Sequence, residues 1–398
     1  VEQPSPSISI VVPTLNEAEN LPQLAARIDA ALRPTGRAYE VVIVDDGSRD
    51  GTPDVVAKLA AQYPLRLIVR QQPEDGLGGA VLRGFAEARG DLLVVMDADL
   101  QHPPEKLPEL IAAVDGGAEF ALGSRHTKGG SIATKWSFAR RVNSVVATWL
   151  ARPFVAGGVS DPMSGFFAIP RRVFERGRYL TPLGYKIGLE LMCKCRVAGV
   201  TEVPIHFGER AAGQSKLSVR EQFRYLEHLS RLYDFCYPRL SPISKFLIVT
   251  TLSWLVGLAV FLLMAHFQRP AWAATTLAYG GVLLTTGVFH YRYVKTQRRF
   301  LPRPTPWRDF FYSCFVEWSV CYIAAWYLHN RLANRTFAEM FFIPFVAALA
   351  ARYVLRKELL LDVRGLRQDA EPRAREIGAA SSTKSEAAPS PDAQEARR

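Results

Sequence analysis

Leu92, Leu93, Val94, Val95 and Met96 run straight into Asp97-Ala98-Asp99-Leu100-Gln101, with no turn residue between the apolar stretch and the acidic one. A run this short and this apolar reads as a strand buried on both faces, which suits a parallel sheet rather than a solvated hairpin. Alternate residues of a strand share a face, so Asp97 and Asp99 project together toward a ligand, with Gln101 just beyond them. Two carboxylates and an amide oxygen form a hard-oxygen set suited to Mg2+ or Mn2+ carrying phosphate oxygens. The expectation is diphosphate chemistry.

The surrounding sequence repeats the pattern. Residues 9–13 and 41–44 read as buried parallel strands separated by a helix-like segment at 20–32, and 67–69, 92–96 and 120–122 are further short strands between helical or turn-rich connections. This predicts an α/β sheet. Pro13-Thr14-Leu15-Asn16-Glu17 and Asp45-Asp46-Gly47-Ser48 follow strand ends, where open α/β folds place ligand groups. Pro13 has a structural role in this reading, whereas Glu17 and Asp46 are candidates for contact with a nucleoside. Gly76-Leu77-Gly78-Gly79 permits close backbone approach to phosphate, but it lacks the Walker lysine pattern and equally suits a turn before a helix.

Beyond residue 240 the character changes. Four long, weakly charged stretches, about 244–266, 271–291, 309–328 and 336–354, each approach the roughly 20 residues that cross a hydrocarbon layer. Arg292, Lys295, Arg298, Arg299, Arg303 and Arg308 concentrate between the second and third, against Arg269 alone between the first two. Arg356, Lys357, Arg364 and Arg367 follow the fourth. The positive-inside tendency then puts the first half, the central loop and the C-terminal tail on the cytosolic side of a multi-pass membrane protein, in a bacterial inner or plasma membrane. A net charge of +11 suits anionic membrane lipids. Nucleic acid is excluded as a partner, because no basic recognition helix or aromatic–basic platform is present.

Smaller features complete this reading. Residues 1–7 carry no signal-like segment. The five cysteines do not form a disulfide framework, and Cys193 and Cys195 are too close on one helix to face each other. Cys236, Cys314 and Cys321 read as packing residues. Glu190, four residues from both Lys186 and Lys194, reads as a site wall or a surface ion-pair partner, not a catalytic group. Leu217, Val219, Phe223, Leu226, Leu229, Leu232 and Phe235, interleaved with Arg220, Arg224 and Arg231, form an amphipathic segment that either lies at a membrane interface or packs on the first half. Residues from about 368 onward are expected to be disordered.

Residues 13–17, 45–48, 97–105 and Asp161-Pro162-Met163-Ser164-Gly165-Phe166-Phe167, with the downstream segment 210–216, resemble the dolichol-phosphate mannose synthase family over roughly residues 8–240. The resemblance implies a GT-A nucleotide-sugar transferase fold, followed here by an all-helical transmembrane domain similar to the GtrA-like domain often joined to such enzymes. The implied layout is a catalytic domain at 1–210, an interfacial linker at 211–243, a four-helix membrane domain at 244–354 and a basic, disordered tail at 355–398.

Carried onto this sequence, the resemblance puts Pro13, Glu17 and Asp46 near the nucleotide. Asp97, Asp99 and Gln101 hold the divalent ion, while Arg125, Arg140 and Ser144 receive a polyprenyl phosphate. Arg210 and Lys216 close over the charged centre. Asp99, Arg125 and Arg140 are the implied catalytic residues. The implied reaction is inverting transfer of mannose from GDP-mannose to dolichyl or polyprenyl phosphate. A related transferase using UDP-glucose and a lipid-linked sugar transporter are the alternatives. Since the acceptor is already anionic, His102 and His126 are not required as general bases. Oligomeric state is not legible.

Overall fold

The computed structural model describes residues 6–71, 73, 75–133, 138–155, 157–177, 180, 181, 183, 186–208, 219–238, 240–297, 306–331, 339 and 342–351. The chain divides into two compact units, Val1–Cys236 and Tyr237–Arg398. In the first, the elements follow in the order β1 (Ile8–Thr14), α1 (Leu21–Leu32), β2 (Tyr39–Asp45), α2 (Thr52–Leu59), β3 (Leu65–Val69), α3 (Gly76–Glu87), β4 (Leu92–Val95), α4 (Leu107–Asp115) and β5 (Phe120–Ser124). There follow β6 (Ser131–Ile132), α5 (Phe138–Ala151), β7 (Phe167–Pro170), α6 (Arg171–Phe174), α7 (Ile187–Lys194), β8 (Val200–Pro204), β9 (His206–Phe207) and α8 (Val219–Cys236).

Seven strands form one sheet in the order β3-β2-β1-β4-β7-β5-β8, and β6 pairs with β9 beside it. The alternation along β1 explains why this sheet is covered on both faces. Ile8, Ile10 and Val12 join Leu21, Leu24 and Ile28 of α1 and Leu107, Leu110 and Ile111 near α4 in one core. Val11 points the other way, to Val42 and Val44 of β2, Ala80, Val81 and Phe85 of α3, and Ile187 and Leu191 of α7. Each such fully buried side chain is worth about 1.5–3 kcal/mol relative to exposure. β4, buried at all four residues, sits beside β1 as the apolar run predicts.

β7 is the departure from simple doubly wound order. It runs antiparallel between β4 and β5, so residues 161–166 arrive at the same sheet edge that β4 leaves. The amphipathic segment before residue 237 forms α8 and belongs to the first unit. Leu229 and Leu232 of α8 are buried with Ala151, Met163, Leu189 and Cys193, while Phe223 and Leu226 stay exposed. Its inner face therefore packs on the first unit.

The second unit contains α9 (Ser241–His266), α10 (Ala271–Gln297) and α11 (Pro306–Arg331), with a shorter helix at Phe342–Ala351. Its own core gathers Phe261, Ala274, Tyr279, Val282, Cys321 and Phe345. The expectation of four spans is corrected here. Among the described residues one helix, Leu247–His266, is long and apolar enough to cross a membrane, with mean hydropathy 2.4. α10 dilutes its apolar residues with Thr275, Thr276, Gly280, Gly281, Thr285 and Thr286, and α11 carries Arg308, Asp309 and Glu317. The fourth apolar helix is too short, and the residues beyond 351 lie outside the described ones. The GtrA-like domain and the multi-pass localisation, with the cytosolic orientation argued from it, fall with this count. Glu317 is buried and accepts a hydrogen bond from Tyr279 Oη at 3.3 Å.

Candidate active site

Strand direction brings the motifs together. β2, β1 and β4 are parallel neighbours, β7 is antiparallel to β4 and β5, and β8 is parallel to β5. The C-terminal ends of β1, β2, β4, β5 and β8, and the N-terminal end of β7, therefore lie along one edge. That edge is where open α/β sheets hold their ligands.

At the β1–β2 end, Pro13 is buried within β1 opposite Val44. Glu17 is half-buried in the turn before α1, its N–H donating to Thr52 Oγ1 at 3.2 Å and its Oε2 accepting from Asn20 Nδ2 at 2.7 Å. Asp45 organises its own turn, accepting the N–H groups of Gly47 and Ser48 at 3.0 and 2.8 Å and the Thr14 hydroxyl at 3.1 Å. Gly47 closes this turn at φ +81°, in the left-handed region that only glycine enters freely. The next carboxylate, Asp46, forms a two-pronged ion pair with Arg70 at 2.6 and 2.7 Å. Arg70 N–H also donates to the Asp45 carbonyl at 2.8 Å, which carries the β2–β3 ladder one residue past Val69. Asp46 thus stands at the ligand edge as an ion-paired acid, and Arg70 reaches on to the Gly76 carbonyl at 2.9 Å.

At the β4 end, the Asp97 side chain is 36% exposed whereas Asp99 is buried. Leu100 is held at φ +63°, a conformation costing an ordinary residue about 1–2 kcal/mol. The strained turn lets Gln101 N–H donate to Asp99 Oδ1 at 3.2 Å, and Gln101 Nε2 donate to the Gly208 carbonyl at 3.1 Å. His102 is buried between Phe166 and Phe207, each 5.4 Å away between ring centres. Burial pulls it down to about 4, against the opposing charge of Asp99. Its Nδ1 accepts the Asp97 N–H at 3.3 Å, so the neutral ring carries its proton on Nε2. His102 thus contacts the loop through the Asp97 N–H. Gly165 lies beside both, and a Cβ there would make ordinary van der Waals contact, 3.4 Å from Asp97 Oδ2 and 3.5 Å from His102 Cε1.

No group of three or more His, Cys, Asp or Glu side chains that could hold a metal exists among the described residues. Asp97, Asp99 and the Gln101 amide nevertheless fit Mg2+ or Mn2+. Such ions accept one or two carboxylates and complete their shell with substrate phosphate and water.

At the β5–β7 end, Arg125 donates Nε and Nη2 to the two oxygens of Asp161, both at 2.7 Å, and its N–H donates to the same carboxylate at 3.1 Å. Burial pushes Asp161 upward, but the guanidinium outweighs it and holds the carboxyl below the usual range. Ser160 and the Asp161 N–H are in turn bound by Glu202 of β8. The Arg125 guanidinium lies over the Phe207 ring, 5.1 Å from its centre. Lys186, just before α7, donates Nζ to the Met163 carbonyl at 3.1 Å. Burial lowers its ammonium to about 8, the Arg125 charge adds to this, and Asp161 and Asp97 oppose it.

The structure thus brings Glu17, Asp46, Asp97, Asp99, Gln101 and Arg125 to one edge. Ser144 sits half-buried on α5, whose backbone also includes Arg140, but the Arg140 side chain lies outside the described residues. Arg210 and Lys216 lie outside them too. Sequence reasoning missed Arg70 and Lys186 as site residues. Arg70 carried a usable signal, one residue past a parallel strand. Lys186 carried only its spacing to Glu190.

Residues 9–178 match the family model described as Glycosyl transferase family 2. A dolichol-phosphate mannosyltransferase of Pyrococcus furiosus is 43% identical over 266 residues, covering 66% of this chain and 74% of that one. A dolichol-phosphate mannosyltransferase of Mycosarcoma maydis is 42% identical over 274 residues, covering 67% and 90%. Among solved structures, glucosyl-3-phosphoglycerate synthase from Mycobacterium tuberculosis, in complex with Mn2+, uridine diphosphate and glucosyl-3-phosphoglycerate, aligns at TM-score 0.43 and 24% identity over 58% of this chain and 80% of that one.

Proposed function

The chain belongs to the dolichol-phosphate mannosyltransferase family of glycosyltransferases, and from that premise we propose that it transfers mannose from GDP-mannose to dolichyl or polyprenyl phosphate. The observation that carries the reading is the meeting, on one sheet edge, of the Asp97–Asp99–Gln101 oxygen set with the Arg125–Asp161 pair. One end suits a donor diphosphate and the other a second anionic group.

An acceptor phosphate oxygen forms the new bond to the anomeric carbon as the bond to the donor diphosphate breaks, and this single displacement inverts the configuration. Asp97, Asp99 and Gln101 would hold Mg2+ or Mn2+, which when bound neutralises charge on the departing diphosphate. The nucleophile is already an anion, so no side chain has to remove a proton, in keeping with a neutral, buried His102. Asp161 fixes the Arg125 guanidinium, and Lys186 adds a cation within range of Asp97, so these two side chains supply the donors for phosphate oxygens in this proposal. Arg140, Ser144, Arg210 and Lys216 belong to the acceptor and closing groups of this proposal.

A lipid-bearing acceptor also suits the surface of this unit. Val142, Val145, Val146 and Trp149 form an exposed apolar stripe on α5 at helical spacing. Phe223 and Leu226 of α8 are exposed as well, and Tyr225 Oη donates to the Ala147 carbonyl at 2.7 Å where the two helices meet. The test is transfer of labelled sugar from GDP-mannose and from UDP-glucose to polyprenyl phosphate, with and without divalent ion. Ion-dependent formation of prenyl-phosphomannose is expected; product from UDP-glucose alone would replace the mannose reading with its UDP-sugar relative.

A further inference from the structure

Cys193 and Cys236 lie 43 residues apart in sequence, yet their Sγ atoms are 2.8 Å apart. Cys193 is on the last turn of α7 and Cys236 ends α8, the last residue of the first unit. The polar cluster beside these helices runs through other residues and does not account for the approach of the two sulfurs. Glu190 of α7 meets Lys194 at 2.6 Å and His228 of α8 at 3.4 Å. Cys195, two residues along α7, is turned toward the Phe174 carbonyl at 3.8 Å and is not part of the pair.

We propose that Cys193 and Cys236 form a reversible dithiol–disulfide site, a redox staple between α7 and α8 that reacts with small disulfides. A disulfide bond spans about 2.05 Å, so a movement of less than about 1 Å closes the contact. The neighbourhood favours the chemistry. Cys193 is buried and Cys236 is half-buried, so an oxidant reaches Cys236 first. Contact with Cys193 lowers the Cys236 thiol below its ordinary value against its own burial, with the Lys194 ammonium working in the same direction, while that contact and burial raise Cys193, so Cys236 is the attacking thiol of the pair. The Cys236 thiolate attacks a small disulfide such as oxidised glutathione, forming a mixed disulfide and releasing one thiolate. Cys193, having lost its proton, then attacks Cys236 Sγ, forming the Cys193–Cys236 bond and expelling the second thiolate. Two protein thiols are oxidised and one small disulfide is reduced to two thiols, which take up the two protons.

The staple closes a long loop, and cross-links of this kind stabilise mainly by restricting the unfolded chain. It pins the far end of α8, whose other end follows the segment holding Arg210 and Lys216.

Full-length protein is incubated with oxidised glutathione, its thiols counted before and after, and its peptides mapped without reduction. The expected result is a fall of two from the five thiols of the sequence, a peptide pair joined through Cys193 and Cys236, and recovery of both thiols with dithiothreitol. The thermal midpoint of the oxidised chain rises on the order of 5–10 °C, and Cys236→Ser abolishes that rise. A stable glutathione adduct on Cys236 with Cys193 still free overturns the proposal, as does retention of all the thiols or a bond that joins other cysteines.

Discussion

Arg125 is the residue whose geometry says most about the chemistry. Its two-pronged contact with Asp161, at 2.7 Å on each side, uses the planar fork that lysine lacks, so Arg125→Lys retains charge without orientation. We expect Arg125→Lys to raise the acceptor KM with donor affinity unchanged, as kinetics against both substrates will reveal. Asp161→Asn leaves a guanidinium short of its buried partner and should cost about 3 kcal/mol of stability in urea unfolding. At the other end of the site, Asp99→Ala is expected to lower transfer about a hundredfold or more with a normal circular dichroism spectrum. Chelation of divalent ions should mimic it. A folded Asp97→Ala/Asp99→Ala protein with wild-type, ion-dependent activity would remove these carboxylates from the mechanism. Lys186 supplies the pH dependence. Its value of about 8 lies below the ordinary 10.5, so its positive charge is lost as pH rises through 8. Between 8 and 10.5 the unfolded chain binds more protons, so this group makes the fold more stable with rising pH, and unfolding cannot explain a loss of rate there. Transfer should decline with a midpoint near 8, and Lys186→Arg should move that midpoint upward. Asp97, Asp99 and Gln101 were singled out by strand period and residue chemistry, but β4 ends at Val95 and the chain then bends, so the period does not reach them and their oxygen set rests on residue chemistry as part of the proposal. Asp161 was legible as a motif but not as the partner of Arg125, since the 36 residues between them leave no local trace.

At the scale of elements, α7 and α8 meet at a buried polar cluster that spacing alone described incompletely. The four-residue interval from Glu190 to Lys194 correctly suggests an ion pair, yet the pair is buried and accompanied by His228 and the Thr181 N–H at 2.7 Å. Burial pushes Glu190 upward, but Lys194 and His228 outweigh it and hold the carboxyl at about 2. Its folded value is therefore depressed, so its contribution is fully present above the ordinary value of 4.5 and is lost as pH falls toward 2. Denaturant midpoints should drop between pH 5 and pH 3, and Glu190→Gln should flatten that decline. Lys194→Met leaves the carboxylate buried without its main partner and should cost about 3–5 kcal/mol. β1, β2 and β4 were legible because each is a largely buried apolar run followed by turn residues. β7 was not, because its insertion between β4 and β5 is decided by long-range pairing. β6 and β9 hold two residues each, too few for any period. On α5, the exposed stripe yields a separate expectation. Trp149→Glu should weaken transfer to vesicle-bound prenyl phosphate severalfold while sparing a short, water-soluble acceptor, and equal losses on both would detach the stripe from lipid handling.

The whole molecule was legible as two parts, and the second part was misjudged for a physical reason. Weakly charged runs read as spans, but threonines and glycines lower the hydropathy of α10, and charged residues interrupt α11, leaving Leu247–His266 as the helix that qualifies among the described residues. The boundary itself falls after Cys236, within the segment 211–243 read as a linker, because the inner face of α8 completes the first unit. Both layers of the sheet draw their core residues from before that boundary, and the helices after it have a core of their own. Domains with separate cores fold separately when few contacts cross between them. We therefore expect a fragment of residues 1–236 to unfold in one cooperative transition. The groups assigned to the donor, from Pro13 to Gln101, all lie within it, so GDP-mannose should bind within about threefold of its affinity for the full chain, a difference under about 1 kcal/mol. Calorimetric titration of fragment and full chain with the same nucleotide sugar, beside their urea curves, measures both quantities. A fragment that unfolds without cooperativity would make the second unit part of the first unit's fold. A cooperative fragment whose donor affinity has fallen a hundredfold would mean that the donor site needs residues beyond Cys236.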